Sequence, residues 1–323
     1  MRGHSTATPE ARGVRGLRCP AAWPHVADAV IKAGKTVQRQ SRCREVGKGS
    51  QSETSCGGGR HDSPWWCGIE KYLVAFPAIK KHFQQHGLEL DWVLYSSWDA
   101  LVEAFVRREV DLAWNGPLAY IKIKRRLDNP CQVVAMRDID VNLMTHFITQ
   151  PHAAIRTVQD LQGKRFACGA RGSVEAGLLA HHFLQQLGIE PSQDLALATF
   201  CEERPTPNAD SQRDVVERIV SGEYDAGAVS STALARMHEA GIIAPESVRV
   251  FWTSPGYSHC CFTAHSDTDR ALTRQITQAF VSMAYDDPLG KTALEAEGCK
   301  AFVPGVTAGW EVLEAVAEEE GLL

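Results

Sequence analysis

No stretch of this chain approaches the ~20 consecutive apolar residues that a membrane-spanning helix needs. Its 323 residues carry 34 Lys and Arg against 39 Asp and Glu, a net charge of −5. That balance lacks the basic excess of a nucleic-acid partner, so no nucleic acid is expected. Ten cysteines are present, but none stands in a C-x-x-C pair, so the spacing of a zinc site is missing and no metal is expected. The nucleophile elbow G-x-S-x-G and the phosphate loop G-x-x-x-x-G-K-[ST] are both absent. No secretory signal is legible: the nearest candidate, AAWPHVADAVIKAG, is interrupted by Pro24, His25 and Asp28.

What is present divides unevenly. Residues 1–64 hold 11 basic and 5 acidic residues, are rich in Gly, Ser and Arg, and show no apolar period. They read as a disordered N-terminal segment. The remaining chain holds 23 basic and 34 acidic residues and becomes regular from about residue 70. FPAIKKHFQQHG reads as a helix stopped at Gly87, and LELDWVLY alternates as a strand does. SSWDALVEAFVRREVD follows with Ser96 and Asp99 placed to cap a helix, and DLAWNGPLAYIKIK gives a short buried strand, a turn and a helix.

The second half repeats the formula. TVQDLQGKRFACG supplies a capped turn, a Gly stop and a strand, and FACGARGSVEAG runs from an apolar segment through a tight turn into an amphipathic helix ended by Gly188. SQRDVVERIVSGEYDAGAVSS is read as a helix capped by Ser211 and Asp214, a stop at Gly222 and a strand from Tyr224 to Val229. Strands VRVFW and CFTAH precede two closing helices near 268–284 and 308–320. Strands and helices alternating at these spacings imply an α/β protein with parallel sheets and ligands bound at the carboxyl ends of strands.

Three turns fall at such ends. Ser173 opens a helix two residues after Arg171 and next to Gly172, so this turn offers a hydroxyl, backbone donors and a guanidinium to an anion. The competing reading is that Ser173 only caps its helix, and Glu175 in the first turn would repel a doubly charged ligand. Asn115 and Gly116 expose an amide at the second turn, while Trp114 reads as core. Ser97 and Trp98 form the third, where Trp98 could stack on a ligand or join the core stripe. In GYSHCCF, Tyr257 and His259 face one way and could line a cleft. His259 and Cys260, as neighbours on an extended segment, would face opposite ways.

LYSSWDALVEAF, DLAWNGPLAY, TVQDLQGKRFACGARGSVEAGLLAHHFL, VERIVSGEYDAGAV and TSPGYSHCCFT, taken in this order, resemble the substrate-binding proteins of phosphate/phosphite/phosphonate-type ABC transporters. The resemblance implies a type 2 periplasmic-binding-protein fold, with two α/β lobes joined by a hinge of two crossing strands near 145–151 and 252–260. Lobe 1 would comprise 65–148 plus 256–323 and lobe 2 149–255. It further implies ligand contacts from Trp98, Asn115 and Ser173; Ser97, Gly116, Arg171 and Gly172 of the same turns, Gln212, and Tyr257 and His259 of the GYSHCCF stretch complete the expected set. Val174, Glu175 and Gln212 depart from the phosphonate pattern, where hydroxyl residues and a histidine are expected. The implied function is solute binding for an ABC importer, with a small anionic ligand, ABC permease subunits as partners, an extracytoplasmic location, no cofactor and a monomeric state. The alternatives are a Cys/His-dependent enzyme and a cytoplasmic ligand sensor on the same fold.

Overall fold

A computed structural model of the chain describes residues 27–33, 64–128 and 131–323. The expectations for residues 1–26 and 34–63 lie outside the described residues. The elements in chain order begin with β1 (Ala27–Ala33), α1 (Pro64–Gln85), β2 (Leu90–Tyr95), α2 (Trp98–Val106), β3 (Leu112–Asn115), α3 (Pro117–Leu127), β4 (Gln132–Arg137) and β5 (Thr145–Thr149). They continue with β6 (Arg165–Ala167), α4 (Leu179–Gln186), α5 (Pro191–Asp194), β7 (Leu197–Thr199), α6 (Ser211–Val220), β8 (Ala226–Ser230), α7 (Ser231–Glu239) and β9 (Arg249–Thr253). The last are β10 (Cys261–Ala264), α8 (Arg270–Val281), α9 (Pro288–Glu297), β11 (Phe302–Pro304) and α10 (Glu311–Glu319). None of the described helices is long and apolar enough to cross a membrane.

Two sheets organise these elements. One has the order β11-β4-β10-β3-β1-β2 and the other β7-β6-β8-β5-β9. The expected parallel sheets are only partly found. β6 runs parallel to β7 and β8, but β5 is antiparallel to β8 and β9. In the first sheet β3 and β4 share a direction, yet β10 lies between them and opposes both. The reason is connectivity: β5 and β10 are the strands that follow a crossing from the other sheet, and each enters its new sheet running against its neighbours. The first crossing also comes earlier than expected. Thr145–Thr149 already pairs with β8 and β9, so the chain changes sheet within residues 138–144 rather than 145–151.

The two crossings lie side by side. Leu143 and Tyr257 exchange backbone hydrogen bonds of 2.8 and 2.9 Å, His259 N–H donates to Asp140 O at 2.9 Å and Ser254 N–H to Thr145 O at 2.9 Å. This is the hinge of two crossing strands. Part of the segment expected to be disordered also takes a place in the first sheet: β1 pairs antiparallel with β2 and β3.

Local chemistry explains most boundaries. Gly87, Gly188 and Gly222 close helices with φ of +71, +81 and +77°, a conformation glycine adopts without a Cβ penalty. The cap of α2 is Ser97, not Ser96: its Oγ accepts from Ala100 N at 3.1 Å. The cap of α6 is likewise Asp210, which accepts from Gln212 and Arg213, while Asp214 turns inward to pair with Arg204 at 2.7 Å. Trp114 is core, stacked on Phe262 with ring centres 4.3 Å apart. α10 lies across α3 and α4, with Trp310 against Tyr120 at 4.3 Å and Glu319 2.8 Å from His182.

Candidate functional site

The first sheet contributes the turns after β2 and β3. Trp98 lays its indole against Gly116, where a Cβ would stand 3.1 Å from the ring, closer than side chains ordinarily pack. Asn115 is fully buried. Its amide donates to Thr263 Oγ1 at 2.6 Å and Ala113 O at 3.3 Å, while Oδ1 is left without a hydrogen-bond partner. Asn115 therefore serves the β3–β10 contact in this structure rather than offering its amide to solvent, because Thr263 lies diagonally across the strand pair at hydrogen-bond reach. Ser97, Trp98, Asn115 and Gly116 are brought together as a packed, uncharged edge.

The second sheet contributes the turn after β6. Ser173 caps a single π-turn, Val174–Leu178, that runs on into α4; its Oγ accepts from Ala176 N at 3.3 Å. Arg171 is not drawn into a site. Its side chain is 52% exposed, pairs with Glu203 and lies over the Phe200 ring at 4.1 Å. Acceptors and an aromatic face beside it on the Phe200–Glu203 turn account for that placement. Gly172 is exposed in the turn between them.

Glu175 is the residue that gathers the rest. Its Oε1 accepts from Gln212 Nε2 at 2.8 Å, and Gln212 Oε1 in turn accepts from Ser230 N–H, the cap residue of α7, at 2.6 Å. Its Oε2 faces His259 Nε2 at 3.4 Å. Its backbone carbonyl accepts from Thr145 Oγ1 at 2.7 Å, which leaves the Tyr257 hydroxyl, 3.0 Å away, to donate to Thr145. Tyr257, His259, Gln212 and Ser173 thus converge on one turn, and the expectation that Tyr257 and His259 share a side fits this arrangement.

Behind His259 the charges continue. Asp140 Oδ1 lies 3.3 Å from His259 Nδ1, and Arg137 grips both Asp140 oxygens at 2.6 and 3.0 Å while reaching Glu297 at 3.5 Å. Burial opposes ionisation of Asp140, but the Arg137 guanidinium and His259 outweigh it and hold the carboxyl at about 2. Burial likewise opposes a charge on His259; the carboxylates of Asp140 and Glu175 on either side of the ring offset it and raise its pKa above the usual imidazole range. The Glu175 carboxyl, which burial would push up, is lowered by His259. Two cations, Arg137 and His259, are therefore shared among three carboxylates, Asp140, Glu297 and Glu175.

Contrary to the expectation from extended geometry, Cys260 Sγ touches His259 Nδ1 at 3.1 Å, because β10 begins only at Cys261 and the backbone before it is not strand. Burial nevertheless raises the Cys260 thiol pKa. Asp140, His259 and Cys260 present donor atoms within 4.8 Å of one another, but a cation, Arg137, already holds both Asp140 oxygens, so this set is poorly suited to a metal. A cavity of about 330 Å³ lies on another side of the hinge, lined among others by Asp138, Asn142, Ser231, Thr232, Arg236 and Lys300; none of the ten predicted contact residues borders it.

Reasoning from sequence missed Asp140, Arg137 and Thr145 as neighbours of the site. The i, i+3 spacing of Arg137 and Asp140 was the available signal. Glu175 was visible as an oddity in the first turn of its helix, without its partners.

Known proteins share this architecture. A family model described as the periplasmic substrate-binding protein of phosphonate ABC transporters matches residues 78–310. The chain is 20% identical over 250 residues to PhnD1 of Prochlorococcus marinus (strain MIT 9301), named as a probable ABC transporter phosphite binding protein, covering 74% of this chain and 82% of the relative. The structure of PhnD1 from that organism in complex with methylphosphonate superposes with a TM-score of 0.58 at 20% identity, covering 79% of this chain and 95% of that one. XAC2383 from Xanthomonas citri, solved with a bound chloride ion, gives 0.52 at 15% identity, covering 70% and 83%.

Proposed function

Because the chain belongs to the family of phosphonate-type periplasmic substrate-binding proteins of ABC transporters, we propose that it captures a small phosphorus oxyanion where the second lobe meets the hinge and delivers it to an ABC permease. The observation that carries the reading is the seat of Glu175. Two residues after Ser173 a carboxylate already takes the Gln212 amide on one oxygen and faces His259 with the other, while Ser230 N–H holds Gln212 in place. A side-chain amide donor and a cationic imidazole favour an anion at that point. Lobe 1 comprises β1–β4 with β10 onward and lobe 2 comprises β5–β9, with the crossings at 138–144 and 254–260 as the hinge about which they close. The family's work is done outside the cytoplasm, and a monomer with an extracytoplasmic site suits it.

Thermal unfolding in the presence of methylphosphonate, phosphite and phosphate tests the reading. A ligand at 100 times its dissociation constant stabilises by ~2.7 kcal/mol, a clear rise in Tm. No shift with any of the three overturns it.

A thiol-based enzyme has one observation in its favour, the 3.1 Å contact of His259 with Cys260. The same imidazole nitrogen faces Asp140, and burial keeps Cys260 in the thiol form, which is the wrong state for a nucleophile. Alkylation of Cys260 by iodoacetamide at neutral pH is expected to be slower than that of a free thiol in solution; a fast, pH-dependent reaction at this residue would revive the enzyme.

A further inference from the structure

The contact between His259 and Glu175 is an ion pair that stops short of a hydrogen bond. The two groups stand 3.4 Å apart, and the buried Nε2 of His259 makes no hydrogen bond at all. The other nitrogen of the ring is committed to Asp140 and Cys260. Glu175 spends Oε1 on Gln212, leaving Oε2 facing the imidazole. A donor and an acceptor thus oppose each other across the boundary between hinge and second lobe, each able to take a better partner when the lobes part.

We propose that the ligand's oxyanion enters between these two side chains, with one ionised oxygen accepting from His259 Nε2–H and one hydroxyl on the same phosphorus donating to Glu175. Glu175 thereby selects the singly protonated oxyanion, of the form R–PO2(OH)⁻. This inference rests on the function proposed above and narrows its ligand class.

The chemistry follows from what a carboxylate can do. Ionised, it accepts hydrogen bonds and never donates them, so an oxygen without a proton placed against it leaves two acceptors in contact. The charges around the seat give no relief. Asp140, Cys260 and Tyr257 face His259 or Glu175 from the two crossing strands, Arg137 stands behind Asp140 and is consumed by Asp140 and Glu297, and Gln212 on α6 is neutral. A dianion would face one cation, His259, and one carboxylate at contact distance. A sulfonate matches the size and the single charge of a hydrogen phosphonate, but carries no proton to give. Sites built to hydrogen-bond one ligand hydroxyl reject analogues lacking it strongly, because a buried acceptor is then left unpaired.

The test is calorimetric titration of the whole chain with methylphosphonate and methanesulfonate across a pH series, on the wild type and on Glu175→Gln. The wild type is expected to prefer methylphosphonate by at least ~100-fold at the pH where it is singly protonated. Its affinity falls about tenfold per pH unit above the second ionisation of the ligand, the slope for binding one proton with the anion. The amide that replaces the carboxylate can donate, so the variant should bind the two ligands within about tenfold and lose that pH slope. The wild-type pH series requires no variant, and circular dichroism confirms that the variant is folded before it is compared. Equal binding of both ligands by the wild type, an affinity for methylphosphonate that rises with pH, or full discrimination retained in Glu175→Gln overturns the role of Glu175 while the function stands. Binding of neither ligand by the wild type removes the function itself, and this inference with it.

Discussion

The two sides of the candidate site are built from different materials. The edge supplied by the first sheet, Trp98 with Asn115 and Gly116, is neutral: an indole laid on a glycine and a buried amide bonded to a threonine across the strand pair. The side supplied by the hinge and the second sheet is a chain of charges from Glu297 through Arg137, Asp140 and His259 to Glu175. Close packing fixes the first whatever the pH. The second holds its geometry only while each charge has its partner, and that places recognition of an anion, and sensitivity to protons, on one side alone.

The largest effect should come from breaking the charged side at its centre. Arg137→Met leaves Glu297, fully buried, without its cation and Asp140, 2% exposed, with His259 as its one remaining positive partner. Removing one partner from a buried ion pair costs about 3–5 kcal/mol, and urea unfolding reads it directly. Asn115→Ala, the matching lesion on the neutral side, deletes the two hydrogen bonds to Thr263 and Ala113 together with an unpartnered oxygen and should cost only about 1–2 kcal/mol. Equal losses in the two variants would erase the contrast.

Acid separates the sides without any mutation. Asp140 is held at about 2 against ~3.9 for an unfolded aspartate, so its contribution is complete above the unfolded value and is lost as pH falls from ~4 through 2, a loss of about 2 kcal/mol. Glu175, lowered as well, adds in the same direction. His259, with its pKa raised, stabilises fully below ~6.5 and loses that contribution only as pH climbs through its folded value. Wild-type stability should therefore fall below pH ~4, and in Asp140→Asn much of that acid-dependent step should disappear. An unchanged acid step in the variant would show that other carboxylates dominate.

The same contrast separates what could be read in the chain from what could not. Alternating elements, the Gly stops and the burial of Trp114 follow from periodicity and from the φ that only glycine takes freely, and these are local properties. Caps slipped by one residue where two capping residues adjoin, at Ser96–Ser97 and Asp210–Ser211, because either side chain can reach the free N–H groups until packing chooses. The strand β1 was hidden in a segment whose composition reads as unstructured. Of the candidate site, the nearness of Trp98 to the turn at Gly116 and the shared side of Tyr257 and His259 were legible, whereas Asp140 was not: its partner Arg137 is three residues away, but its other partner, His259, lies 119 residues downstream.

The smallest expected effect is also the sharpest check on the turn between Phe166 and Gly177. Arg171 and Ser173 stand two residues apart, and an anion seat at the helix start would call on both. The structure separates them: the guanidinium is at the surface with Glu203 and Phe200, and the hydroxyl is bonded to Ala176 N. Ser173→Ala should then cost about 1 kcal/mol, the usual loss of a cap. Arg171→Ala should stay within about 0.5 kcal/mol, as surface substitutions do, because an exposed ion pair contributes little against the entropy of ordering two long side chains. Methylphosphonate affinity supplies the second reading. If anion capture belongs to His259 and the hinge, Arg171→Ala leaves it unchanged, and a tenfold loss would return the guanidinium to the site and shift the seat from Glu175 to the exposed start of the turn.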